Sequence, residues 1–142
     1  MTDKVKQLTI ILADTYAAYV KTQNYHWNVE GPDFYALHKF FEEQYQALAE
    51  AVDELAERIR ALGSKVAGDF KSYQDHTNLG AANPDFSSKE MLQDLHDDHS
   101  KIVKSFNDAL PVFEGDEATT DLIIERLAWH EKQVWMLGSH FK

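Results

Sequence analysis

Apolar residues recur every three or four positions in four stretches of the chain, and nowhere do they alternate in the two-residue rhythm of a half-buried strand. The first stretch runs from about Asp3 to Val29, with Leu8, Leu12, Tyr16, Tyr19 and Val20 at helical spacing. Glu30-Gly31-Pro32-Asp33 closes it, and the Asp33 carboxylate is placed to accept from the free amides of the next helix. The second runs from about Phe34 to Leu62 on the stripe Phe34, Leu37, Phe41, Tyr45, Leu48, Val52, Leu55, Ile59, Leu62, a long amphipathic helix that Gly63 stops. Residues 63–86 form a long connection punctuated by Gly68, Gly80 and Asn83-Pro84, with a short helix predicted from Phe70 to His76 across the bundle. The third helix starts at Ser87 or Ser88, where Ser87 and Glu90 match a capping box, and runs to about Leu110, where Pro111 ends or kinks it. The fourth runs from about Glu117 to His140, with Ile123, Leu127, His130, Val134 and Leu137 on one side. The pattern predicts one all-α domain over residues 1–142: a four-helix bundle with a short extra helix in its long second connection. The two short connections make their flanking helices antiparallel neighbours; the long one spans the bundle.

Composition narrows the chemistry. The 142 residues contain no cysteine, which excludes disulfides, thiolate zinc sites and thiol catalysis. Any metal site must draw on His, Asp and Glu, a donor set suited to iron, manganese or zinc rather than copper(I). The net charge of −10 repels phosphate backbones and suits cation capture. The aliphatic run Ile10–Ala13 is far too short to span a membrane, and Met1-Thr2-Asp3-Lys4 has no signal-peptide pattern, so a cytoplasmic protein is expected. No glycine-rich phosphate loop, zincin motif or nucleophile elbow is present.

The second helix carries a polar edge beside its apolar stripe. At ~100° per residue, His38, Glu42, Asp53 and Glu57 fall within about 100° of arc, and His26, near the end of the first helix, is a fifth candidate. His38 and Asp53 are separated by about 22 Å along a helix rising ~1.5 Å per residue, so one chain cannot bring both to one metal ion. The set divides into His26, His38 and Glu42 at one end and Asp53 and Glu57 at the other. Two copies of this helix, antiparallel about a two-fold axis near residues 46 and 47, would set each half against the other half of the partner and build two shared sites per dimer. The sequence argues against an intra-chain di-iron centre, because none of the seven histidines has Glu three positions before it in the Glu-x-x-His pattern.

Tyr25-His26-Trp27-Asn28-Val29-Glu30-Gly31-Pro32, Leu37-His38 with Phe41-Glu42-Glu43-x-Tyr45, and Asp53-Glu54-Leu55-Ala56-Glu57-Arg58-Ile59-Arg60-Ala61-Leu62-Gly63 resemble successive signature segments of the Dps family of mini-ferritins. Gly115-Asp116, Thr120-Asp121-Leu122, His130-Glu131-Lys132 and Trp135-Met136-Leu137 extend the resemblance over nearly the whole chain. It implies a ferritin-like fold, a dodecameric shell built from two-fold dimers, and a ferroxidase that oxidises Fe(II), commonly with hydrogen peroxide and otherwise with oxygen. The ferric mineral is stored inside and oxidative damage is suppressed. It assigns catalysis and iron binding to His26 and His38 of one subunit and Asp53 and Glu57 of its two-fold partner, with Glu42 as a further ligand and zinc as a competing ion. It also points to an acidic pore at Asp116, Asp121 and the conservative variant Glu125.

Each assignment has a plainer counterpart. A lone His38 beside an apolar stripe is more often a packed, hydrogen-bonded residue; its company with His26, Asp53 and Glu57 reverses that. Asp53 and Glu57 have Arg58 and Arg60 nearby, but these point elsewhere on the helix. Trp27 reads equally as a redox-active aromatic near the metal or as packing. His96, Asp97, Asp98 and His99 read as a solvated polar face, His130 as a satisfied core histidine, and Asp116-Glu117 as acidic residues favouring a helix start. Family members that bind DNA do so through lysine-rich tails; only Lys4 and Lys6 lie near the start and Lys142 follows the last helix, so no tight DNA binding is expected. The rival to an iron-handling enzyme is a helical structural or interaction protein, binding nucleoid or surfaces, whose carboxylate edge is only a dimer seam.

Overall fold

The computed structural model describes all 142 residues. Its helices are α1 (Asp3–Asn28), α2 (Phe34–Ala61), α3 (Phe70–His76), α4 (Ser88–Ala109) and α5 (Glu117–Gly138), with short 3-10 turns at Leu110–Phe113 and Ser139–Phe141. There is no strand, and no helix is long and apolar enough to cross a membrane. α1 pairs with α2 and α4 with α5, and α3 lies across α1.

The helix ends follow the local chemistry of the sequence. Ser87 accepts from the Glu90 amide while Glu90 accepts from the Ser87 amide, the reciprocal capping box. α2 ends in a Schellman arrangement: the Gly63 amide donates to the Arg60 carbonyl and the Ser64 amide to that of Ile59, with Gly63 at φ +95°. Pro111 sits in the first turn of the 3-10 segment that follows α4, where its missing N–H costs nothing. Asp33 does precede α2, but its carboxylate makes no capping bond; its backbone carbonyl takes the Leu37 amide instead.

The core is two apolar clusters stacked along the bundle. One gathers Leu8, Leu12, Leu48, Leu55, Phe106 and Ile123; the other gathers Tyr25, Leu37, Phe41, Met91, Leu95 and Leu137. Between them, at the mid-height of the helices, lies a polar layer. Lys21 is buried there against Asp98 at 2.7 Å and Asp94 at 3.2 Å, and Gln44 donates to Gln133 at 2.9 Å. Val20, placed on the apolar stripe by spacing, is instead exposed, because the buried face of α1 runs through Ile11, Thr15, Ala18 and Thr22. Buried Asp14 accepts from the Thr77 hydroxyl at 2.8 Å and the Asn78 amide at 2.7 Å, tying the long connection to α1.

Candidate metal centre

The turn between α1 and α2 folds His38 back onto His26. Each ring's Nδ1 lies 2.7 Å from the backbone carbonyl oxygen of the other residue. A carbonyl only accepts, so both Nδ1 atoms carry a proton and donate, and Nε2 is the ring nitrogen each leaves for a metal ion. The rings stack at 3.8 Å between centroids and 15° between planes. Phe34 stacks on His38 at 5.1 Å, and the Tyr45 ring meets His26 edge-on at 5.2 Å. His26 is 5% exposed and His38 half-buried. The chain thus presents two imidazoles in fixed orientation, each anchored through Nδ1, as a metal ligand requires. Glu42 stands one turn beyond His38, half-buried, with Lys39 3.5 Å from its carboxylate.

Asp53 and Glu57 lie toward the opposite end of α2, one turn apart and exposed. The Asp53 carboxylate, hydrogen-bonded to Glu57 and repelling its charge, holds the Glu57 carboxyl above its ordinary pKa. Their cationic neighbours are engaged elsewhere: Arg58 donates to Thr119 at 2.8 Å and pairs with Asp116 at 3.4 Å, and Arg60 donates to the Ser64 carbonyl at 3.0 Å. α2 is unbroken from Phe34 to Ala61, so the two halves stay about 22 Å apart along the helix. No three His, Asp or Glu side chains converge within the chain. The structure therefore brings His26 to His38 and Asp53 to Glu57, but not one pair to the other.

The remaining assignments separate. The Asp116 carboxylate caps α5 by accepting from the Thr119 amide and hydroxyl, and it also faces Lys4 at 3.6 Å and Arg58; the Thr119 bonds hold its carboxyl below the usual range. Asp121 and Glu125, one turn apart on α5, remain exposed. Trp27 is 64% exposed, which removes packing within its own chain as its role.

The face of α4 read as solvated is half buried. Asp98 pairs with Lys21, while His99 is fully enclosed with its Nδ1 2.8 Å from that of His130. Burial pushes His99 down to about 3 and His130 well below the ordinary imidazole value, so both are neutral. His130 is a core histidine as the pattern suggests, but only partly satisfied: Nε2 of both rings lacks a partner, as do Nε and Nη2 of buried Arg126. Spacing alone hides this cluster, because the 99-to-130 contact joins different helices. Likewise the mutual locking of His26 and His38 runs through backbone carbonyls, which no side-chain motif records.

Comparison with known proteins agrees with this architecture. The ferritin-like domain family matches residues 5–142. The DNA protection during starvation protein of Brevibacillus brevis is 33% identical over 144 residues, covering 96% of this chain and 97% of that one. The Dps structure from Staphylococcus aureus superposes with a TM-score of 0.94 at 34% identity, over 97% of this chain and 94% of that one. That from Vibrio cholerae, described as a member of a broad superfamily of ferritin-like diiron-carboxylate proteins, gives a TM-score of 0.93 at 33% identity, over 98% and 89%.

Proposed function

Since the chain belongs to the Dps family of ferritin-like proteins, we propose that it is an iron-storage ferroxidase whose metal site is completed across a two-fold dimer. The observation that carries this reading is the reciprocal bonding of His26 and His38, which commits both Nδ1 atoms and leaves both Nε2 atoms as ligands. Fe(II), the substrate, is held by these two nitrogens from one subunit and by Asp53 and Glu57 from its partner. Glu42 joins once it gives up its weak surface pair with Lys39. Nitrogen and carboxylate donors together suit iron, and zinc competes for the same set.

The cation also relieves the repulsion between Asp53 and Glu57, so their proximity favours loading. Hydrogen peroxide, or oxygen more slowly, is the electron acceptor. Two Fe(II) ions, one peroxide and two protons give two Fe(III) ions and two waters, so no hydroxyl radical is released. The ferric product collects inside a dodecameric shell in the cytoplasm, whose acidic surfaces draw Fe(II) inward through openings lined by Asp121 and Glu125. Asp116, the third residue of that path, also caps the start of α5. With a charge of −10 on every chain, the assembly does not bind DNA tightly at physiological salt.

The test is anaerobic loading of purified protein with Fe(II), followed by peroxide or air, with ferric absorbance recorded and products separated by size. The expected result is iron co-eluting with a large assembly and faster oxidation by peroxide than by air. A small oligomer that oxidises iron no faster than buffer overturns the reading.

A further inference from the structure

Four of the six tyrosines form one continuous file that begins at the candidate metal centre. The Tyr45 ring meets His26 edge-on at 5.2 Å, Tyr19 meets Tyr45 at 5.9 Å, Tyr16 meets Tyr19 at 5.7 Å, and Tyr73 stacks on Tyr16 at 4.2 Å with 15° between planes. The file passes from α2 through α1 to α3, on the long connection. A hydrophobic core needs the ring area of such residues, but it has no use for four phenol hydroxyls. Phenylalanine packs the same surface without a polar atom, and this chain uses it at the fully buried sites Phe41, Phe106 and Phe113, while the fully buried Tyr25 commits its hydroxyl to Asp94. Tyrosine differs from it in one chemical respect that suits this place: the phenol gives up an electron and a proton together. All four residues of the file are half-buried, and the Tyr19 hydroxyl accepts from the Gln23 side-chain amide at 3.3 Å, so the file runs along the edge of the core rather than through it.

We propose that Tyr45, Tyr19, Tyr16 and Tyr73 form a relay that supplies the second electron when peroxide meets a site holding a single Fe(II), and that carries the resulting radical away from the iron ligands to α3. The inference rests on the metal-site reading above. Peroxide needs two electrons to become water, and one Fe(II) gives one. Fe(II), the Tyr45 phenol, hydrogen peroxide and one proton then yield Fe(III), the Tyr45 phenoxyl and two waters. The radical moves by exchange: each phenoxyl takes an electron and a proton from the next phenol, so Tyr45 is restored as Tyr19 is oxidised, and so on to Tyr73. A later Fe(II) ion and a proton return Tyr73 to the phenol and leave a further Fe(III). Without the relay the unmatched electron demand falls on His26 and His38, the groups the site depends on.

The experiment uses the assembled protein loaded with one Fe(II) per site and mixed with peroxide. Freeze-quench electron paramagnetic resonance looks for a tyrosyl signal, and a nitroso spin trap followed by peptide mass spectrometry locates it. The expected result is a tyrosyl radical with adducts at Tyr73 in the parent protein. In Tyr19→Phe, which keeps the ring and removes the phenol, the Tyr73 adduct is lost and the adduct appears at Tyr45. In Tyr73→Phe it stops at Tyr16 or Tyr19. Ferric absorbance, recorded in parallel at excess Fe(II), is unchanged in both variants. Adducts at Tyr73 that persist in Tyr19→Phe, or adducts confined to Trp27, overturn the relay while leaving the metal site standing. A parent protein that forms no ferric product faster than buffer overturns the site and the relay with it.

Discussion

Single residues here do two kinds of work, and pH separates them. Glu57 is fully exposed in one chain, and Asp53 raises its pKa. A carboxyl whose pKa is raised on folding favours the fold below its unfolded value and loses that contribution as pH rises, so at neutral pH the pair opposes the fold until a cation arrives. Glu57→Gln removes the repulsion and a ligand charge together. Its apo form is expected to unfold thermally no earlier than the parent at neutral pH, while Fe(II) binding measured by anaerobic calorimetry is lost; a variant that melts much earlier would show that the pair is structural. His99 and His130 run the other way. Burial depresses both, so their contribution is present above the ordinary imidazole pKa of 6.5 and lost as pH falls toward the folded value, about 3 for His99. Each site sets a slope of up to about 1.4 kcal/mol per pH unit in that window. Urea unfolding followed at a series of acidic pH values should show this decline, and the double substitution His99→Leu with His130→Leu should flatten it by removing both partners at once. An unchanged slope assigns acid sensitivity to the carboxylates instead.

At the scale of elements, the helices were legible because their signals are local. The three-and-four rhythm of α2, the Ser87–Glu90 box and the Gly63 stop each depend on residues within a turn or two, and the structure uses them in that way. Ser87→Ala is accordingly expected to cost about 1 kcal/mol of unfolding free energy, read from denaturant midpoints. What the sequence concealed depends on which helix faces which. Asp33 carries a capping residue's side chain yet does not cap with it, and Asp98 and His99 sit on a face that spacing reads as wet because α1 and α5 cover it. The long connection is a further case. Its short helix is visible in the pattern, but its anchor is the buried Asp14 carboxylate on α1, more than sixty positions away. Asp14→Ala leaves the Asn78 amide and Thr77 hydroxyl without their acceptor, at a cost of roughly 1–3 kcal/mol. Amide hydrogen exchange should accelerate at residues 77–79 before the bundle itself loosens; uniform protection there would mean that packing alone holds the segment.

For the whole molecule the question is why the ligands are divided. Asp53 and Glu57 are assigned to the site by spacing and family resemblance, yet in the isolated chain they face outward, about 22 Å along α2 from the histidines. A two-fold arrangement of α2 about its midpoint resolves this, since each copy then presents nitrogen donors where the other presents carboxylates. On the proposed function, iron oxidation is thereby tied to assembly, because a monomer would hold half-sites only. The same arrangement distinguishes a metal centre from a seam. If the carboxylates serve chiefly to join subunits, Asp53→Ala with Glu57→Ala should dissociate the particle. If they are ligands, a pair of crowded negative charges disappears from each end of the seam, and the particle should hold together at least as well. The expected outcome by light scattering and size exclusion is a variant of parental size whose Fe(II) oxidation by peroxide has fallen to the rate in buffer. Mixing it with a His26→Ala, His38→Ala variant after dissociation and reassembly carries the argument further. Each mixed dimer then contains one site with all its ligands and one with Glu42 alone, so activity should return to part of the parental value, whereas ligands drawn from a single chain would leave the mixture as inactive as its parts.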